Sequence, residues 1–274
     1  MKKKNFFMEN KQFTIFFLLA LIVAGVAVFA PWIAPKDPLE AVMTDSLKAP
    51  CAQYPLGTDK LGRDLLSRVI FGTRTSLVMT LILVAVIFVT GTALGIVAGY
   101  FGGWIDEIIM RIADMMISFP GLVLAIAIAG MLGPNLTNAV IAISAVSWTK
   151  YARLARSMVL KVKQNLYIEA AKVNGTSTLK ILWRHVLPNM LTTMVVTAAA
   201  DIGTMMLELA SLSFLGFGAT APTPEWGLML NEGRTYMAKA PWLMIAPGIA
   251  IVITVVVFNM LGDSIRDVLD PKQE

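Results

Sequence analysis

The sequence predicts an all-α, polytopic membrane protein with six transmembrane helices, and three observations carry that expectation. The 274-residue chain is 57% hydrophobic and only 15% charged, with a mean hydropathy of +0.70; a soluble domain carries roughly 25% charge. Its apolar residues gather into six runs, at 13–34, 76–100, 112–132, 136–156, 189–211 and 242–263, each near the ~20 residues a helix needs to cross a bilayer. Between the fourth and fifth runs lies a polar, cationic stretch, IEAAKVNGTSTLKILWRHVLPN, from Ile168 to Asn189. A membrane protein that exposes such a helix-forming segment has a soluble partner to dock with.

The first run begins after Lys2, Lys3 and Lys4, and Val28-Phe29-Ala30 could pass as a cleavage site. The run is longer than the roughly 7–15 apolar residues of a signal peptide, so an uncleaved first helix is expected. The loop at 35–75 is rich in turn formers, as in PKDPLE and YPLGTDKLGRD. It ends in GRDLLSRVIFGTR, where Leu65, Leu66, Val69 and Ile70 recur at helical spacing between charges. That pattern reads as an interfacial amphipathic helix on the outer surface. Residues 1–75 thus form an N-terminal helix and outer loop, 76–264 the main membrane domain, and 265–274 a cytoplasmic tail.

The second run carries Gly91, Gly95 and Gly99 at every fourth position, the spacing that lets helices approach closely in lipid. Arg111 and Asp114 are spaced to pair at i,i+3. The fourth run is the weakest, because Lys150, Arg153 and Arg156 shorten its apolar part. The fifth places Asp201 and Glu208 seven positions apart, on nearly one face. A carboxylate at membrane depth costs about 2.5–3.5 kcal/mol, so both should face protein or water. The readings are a path for a cation or peptide amine, or a structural role, either paired with cations of a partner subunit or as protonated acids donating hydrogen bonds. The loop at 212–241 contains FLGFGATAPTPEWG, whose Gly and Pro residues preclude a long helix. Phe214, Phe217 and Trp226 give it an apolar face, fit either for a pore lining or gate or for a compact external cap.

Lys and Arg concentrate before the first run, between Lys150 and Arg184, and in the tail, which puts both termini in the cytoplasm. The net charge of +5 suits loops facing anionic lipid. It gives no sign of nucleic-acid binding, since the cations are spread along the chain without interleaved aromatics. Cys51 is the only cysteine and His185 the only histidine, so no metal cluster is expected; the seventeen methionines are packing residues. There is no G-x-x-x-x-G-K-[ST] loop and no Ser/His/Asp set. Asp201 and Glu208 lie about 10 Å apart along a helix, too far for a shared-proton acid pair. The chain is therefore expected to be no enzyme.

Within the polar stretch, Tyr167–Val173 is a good helix former, Asn174-Gly175 a stop, and Thr176 or Ser177 a cap for a second helix running to Leu187. Pro188 marks the start of the next span. The stretch resembles the EAA loop of ATP-binding-cassette importer permeases: Glu169, Ala170, Ala171, Gly175, Leu187 and Pro188 match its pattern, and His185 departs from it. YPLGTDKLGRDLLSRVIFGTRTSL, GYFGGWIDEIIMRIADMMISFP, LSFLGFGATAPTPEWGLML and FNMLGDSIRDVLDPK are similar to the peptide/nickel branch, C-type subunit. The resemblance implies a type I importer permease fold, with residues 167–188 seated on an ATPase. It also implies a second, B-type permease subunit, two ATP-binding subunits that hold ATP and Mg, an extracytoplasmic solute-binding protein, and a home in the prokaryotic cytoplasmic membrane. Asp201, Ile202, Gly203, Met205 and Met206 look closer to nickel permeases, making nickel or a metal chelate the first expectation for cargo and di- or oligopeptides the alternative. A proton-driven secondary transporter is a more remote one.

Overall fold

A computed structural model of the protein describes residues 10–269. Lys2, Lys3, Lys4 and the end of the 265–274 tail lie outside the described residues. Helix α1, Lys11–Ile33, is apolar all round and buries only Ala20, Ala27 and Ala30, as expected of a lipid-facing span laid against α2 and the last helix. Helix α2 runs from Leu65 to Phe101. Its 37 residues make a rod of about 55 Å, longer than the ~30 Å hydrocarbon core, so its first turns project beyond the bilayer.

This length corrects one expectation. GRDLLSRVIFGTR does not make a separate interfacial helix; from Leu65 onward it is the start of α2. Asp64 caps that start, its carboxylate accepting the Ser67 N–H at 2.8 Å. Arg63 and Arg68 are each only 1% exposed, pointing into protein rather than water.

Gly102 and Gly103 both take positive φ and turn the chain into α3, Gly103–Ile117, followed by α4, Gly121–Leu132. The third apolar run is therefore not one straight span: it breaks before Pro120, and the two helices meet at 94°. Proline disfavours helical geometry in the residue before it, here Phe119. Helix α5, Leu136–Lys163, is 28 residues long. Next come α6 (Leu166–Val173), α7 (Thr178–Ile181), a wide π-type turn (Leu182–Val186) and α8 (Leu187–Phe214). Helices α9 (Trp226–Gly233) and α10 (Trp242–Leu269) complete the order, and no β-strand occurs among the described residues. Four helical rods are long and apolar enough to cross a membrane alone: α1, α2, the continuous α7–α8 rod and α10; the α3–α4 pair makes five if counted as one broken span. The expected six is not reached on apolar length, because α5 is long enough but carries cations through its second half.

The glycine stripe does what its spacing predicts. A Cβ on Gly91 would lie 2.5 Å from the Trp148 carbonyl, on Gly95 2.3 Å from the Ala152 carbonyl, and on Gly99 2.9 Å from the Arg156 carbonyl. These glycines let α2 and α5 meet backbone to backbone, in the most extensive helix contact of the fold.

The other organising layer is outside the membrane. In the repeated Leu-Gly-x-Asp motif, Gly57 and Gly62 take φ of +80° and +75°. A Cβ on Gly62 would lie 1.8 Å from the Val42 carbonyl. Arg63 Nε lies 2.6 Å from Asp59, and the Arg63 and Arg68 guanidinia each reach Glu232 at 3.3 Å. Arg68 also donates to the Pro38 and Pro222 carbonyls. One buried ionic knot thus ties loop 35–64, the head of α2 and α9 together. Nearby, the Tyr54 hydroxyl donates to Asp45 at 2.6 Å, which pushes the phenol up to about 12.

Two stability measurements check this account. Gly95→Ala lowers the stability of detergent-purified protein by about 1–3 kcal/mol through overpacking, whereas Gly248→Ala, whose Cβ meets nothing within 4 Å, does not. Removing one partner from the buried knot with Glu232→Gln costs about 3 kcal/mol, while Lys60→Gln, at the exposed edge 3.5 Å from Glu232, costs about 0–1 kcal/mol. Thermal unfolding followed by tryptophan fluorescence reads both pairs.

Candidate functional site

The acids of the fifth run sit on α8 and face a cavity of about 400 Å³. Asp201, Thr204, Met205 and Glu208 line it at i, i+3, i+4 and i+7, one helical face. Met116, Ile117 and Phe119, at the α3–α4 bend, supply the opposite apolar wall. Lys150 and Tyr151 enter from α5: the Lys150 ammonium lies 2.6 Å from Asp201 Oδ1, and the Tyr151 hydroxyl donates to Oδ2 at 2.8 Å. Asp201 therefore has structural partners on its own chain. Lys150 was legible as a charge, but nothing in the sequence tied it, or Tyr151, to Asp201 across some fifty residues. Glu208 is half-buried and has neither hydrogen bond nor ion pair among the described residues. Lys150 and Asp201 also line a second cavity of about 550 Å³, which continues past Thr193 and Thr197 to Asp263 and Arg266. The ion pair thus stands between two hollows. No group of three or more His, Cys, Asp or Glu that could hold a metal ion is gathered among the described residues.

Further along α5, Arg156 forms a two-pronged pair with Asp106 and Arg153 pairs with Asp114. Arg111 pairs with Glu107, not with Asp114 as the spacing suggested. Asp114 is taken by Arg153 because the α3–α4 break sets α3 alongside α5.

The 167–188 stretch has an anchored side and a bare side. Ile168, Ile181 and Val186 are buried in the same core as Val159 and Val162 of α5. Ala171 is half-buried against that core, whereas Glu169, Ala170 and Gly175 are exposed. Gly175 takes φ +71°, and an added Cβ would meet nothing within 4 Å; its glycine serves the turn and leaves open space above it. Ser177 occupies the cap position but makes no side-chain cap bond. The second helix does not end before Pro188. It widens into the π-type turn, which accommodates the missing proline N–H, and Asn189 donates its side-chain amide to the His185 carbonyl at 2.6 Å. Leu187 is half-buried and Pro188 exposed. His185, the departure from the expected pattern, packs its ring against Tyr167 at 5.9 Å, joining the two arms of the stretch.

In the outer loop, Phe214, Phe217 and Trp226 do not form one apolar face. Trp226 is buried, its indole N–H donating to the Val69 carbonyl at 3.0 Å and its ring filling the space over Gly72. Phe217 is half-buried against the core that includes α4, and Phe214 lies under the Arg234 guanidinium. Glu225, which the sequence reading passed over, caps α9 by accepting the N–H groups of Gly227 and Leu228 at 2.9 and 2.7 Å. Burial pushes its carboxyl up, and those two bonds pull it back toward ionisation.

Comparison with known proteins matches this arrangement to a family. Residues 91–274 fit the model for "Binding-protein-dependent transport system inner membrane component". The chain is 42% identical to the dipeptide transport system permease protein DppC of Alkalihalophilus pseudofirmus, over 97% of this chain and 88% of that one. It is 47% identical to the glutathione transport system permease protein GsiD of Escherichia coli, over 93% and 84%. The fold matches a solved chain of the inward-facing MetNI methionine ABC transporter with a TM-score of 0.59 at 20% identity, covering 74% of this chain and 96% of that one. The chain belongs to the binding-protein-dependent transport system inner membrane components, as a non-catalytic, multi-pass permease subunit of an ABC importer.

Proposed function

We propose that this subunit passes short peptides, rather than nickel, across the membrane. Supporting this reading is the agreement of relatives at 42–47% identity over nearly the whole chain, which are named for dipeptide and glutathione transport. The cavity chemistry supports it too. A carboxylate without an ion-pair partner and an accessible ammonium lining one cavity suit a zwitterion, whereas Ni²⁺ prefers a set of nitrogen and oxygen ligands. The nickel expectation rested on the likeness of Asp201, Ile202, Gly203, Met205 and Met206 to nickel permeases; Met205 and Met206 are buried packing residues, and Asp201 is engaged by Lys150 and Tyr151.

The remaining parts of the proposal follow the family. A second permease subunit completes the pathway, with Asp201 and Glu208 on this chain's side of it. Two ATPase subunits carry the ATP and Mg. A solute-binding protein delivers cargo to the outer face, and both termini are cytoplasmic. The bare side of 167–188, with Glu169, Ala170 and Gly175, is the surface an ATPase grips. Its buried side, Ile168 and Ile181, carries the motion into the α5–α8 core. Binding energy in the partner thereby biases access to one side or the other.

Uptake measurements test both halves. In cells stripped of other peptide importers, the complete system restores uptake of labelled dipeptide or glutathione and leaves nickel accumulation at background; the reverse result overturns the peptide reading. Ala170→Trp and Gly175→Val, at positions where partner contact is close, lower uptake by about tenfold or more, the loss of roughly 1.4 kcal/mol or more of docking energy. Wild-type uptake by either variant, with the complex purified intact, sinks the coupling role.

A further inference from the structure

The two acids of α8 have different jobs. Asp201 is held on both oxygens, by Lys150 and by Tyr151. Glu208, one helical face further along, reaches the same cavity with no partner among the described residues. A half-buried carboxylate without a partner is costly to maintain, which marks it as a group that meets a ligand. Lys150 is the accessible member of its own pair, its side chain 59% exposed against 8% for Asp201.

Spacing then limits what fits. The Cα atoms of Glu208 and Asp201 lie about 10 Å apart along the helix axis, and Lys150 reaches Asp201 from α5, so the carboxylate and the ammonium stand at separate points of the cavity, within the reach of a short peptide. An extended dipeptide spans about 7 Å and a tripeptide about 10 Å. The cavity volume of about 400 Å³ falls in the range of small-ligand pockets, and the wall at Met116, Ile117 and Phe119 is apolar and unspecific, suited to variable side chains.

We propose that this cavity reads both ends of a short peptide. Glu208 takes the terminal ammonium, and Lys150 takes the terminal carboxylate, leaving Asp201 for it while the peptide is bound. Tyr151 keeps its bond to Asp201, so that carboxylate is not left bare when Lys150 turns away. Charge is conserved throughout, since a zwitterion brings one charge of each sign to groups of the opposite sign. The assignment rests on the peptide reading above and adds the recognition of free termini by the permease itself.

Direct binding to the purified heteromeric complex, with no solute-binding protein present, isolates this step. Saturation-transfer NMR titrations would give Kd for alanyl-alanine, its N-acetyl derivative and its C-terminal amide. Glu208→Gln should weaken free dipeptide about tenfold, the scale of one charge-assisted hydrogen bond, and leave the N-acetyl derivative unchanged. The paired change Lys150→Met with Asp201→Asn, which strands no buried charge, should weaken free dipeptide less than Glu208→Gln does and leave the amide unchanged. If Glu208→Gln does not assemble, Glu208→Asp shortens the reach and should still weaken the free dipeptide selectively. Equal weakening of all three ligands, no weakening in any assembled variant, or no binding by the wild-type complex overturns the assignment. Wild-type uptake of dipeptide in cells would stand through any of these, so the peptide reading survives or fails separately.

Discussion

Charge within a bundle of apolar helices has to be matched inside the protein, and α5 is where this fold does the matching. Its cations account for its being the poorest span by composition. Lys150 holds Asp201 of α8, while Arg153 and Arg156 hold Asp114 and Asp106 of α3. On another face the same helix meets the glycine seam of α2. A helix too polar to sit alone in lipid is therefore a suitable centre, since neighbours that carry acids gain by gathering round it. The pairs at Asp201 and Asp106 each bury a carboxylate; such a pair adds little net stability over apolar contacts but is costly to break singly, whereas the exposed Arg153–Asp114 pair is worth little. They fix which helices are neighbours and in what register.

The same arrangement sets the 167–188 stretch between two helices. One arm, α6, hangs from the end of α5. The other, α7, is continuous with α8 through the widened turn at Leu182–Val186. The rod from Thr178 to Phe214 has 37 residues, about 55 Å of helix, and it passes the cavity on its way to the outer loop. Ile168 and Ile181 are buried in one core with Val159 of α5 and Met194 of α8, so the stretch is packed into the helices that carry Lys150, Asp201 and Glu208. The knot of Arg63, Arg68, Asp59 and Glu232 holds the head of α2 to α9.

Much of this was legible in the sequence, and the misses have physical causes. The glycine stripe, the Gly175 turn and the facing of Asp201 and Glu208 all follow from helical periodicity, a local property. The straight third span, the separate outer amphipathic helix and the Arg111–Asp114 pair also obeyed local rules, and they failed because tertiary partners decided otherwise. Pro120 broke the span and set Asp114 beside Arg153. Glu232, far along the chain, drew Arg63 and Arg68 inward. An amphipathic pattern reports a polar face but not whether that face meets water or buried carboxylates. Trp226 was expected in one apolar face with Phe214 and Phe217, lining a pore or gate or forming a compact external cap; its indole bond to Val69 and its seat over Gly72 make it a fixed anchor.

The contrast between the two acids bears on how such a cavity avoids trapping its cargo. A site that bound a peptide through strong preformed contacts at both ends would hold it and stall transport. Here the ammonium of Lys150 is already occupied by Asp201, so a peptide carboxylate gains only the difference between two similar ion pairs. Glu208 is unoccupied, and supplies most of the net attraction. Binding is therefore favourable at one end and close to neutral at the other, and Asp201 competes for Lys150 throughout. Release then needs no change in charge, only a small shift of α8 against α5 that restores the resting pair.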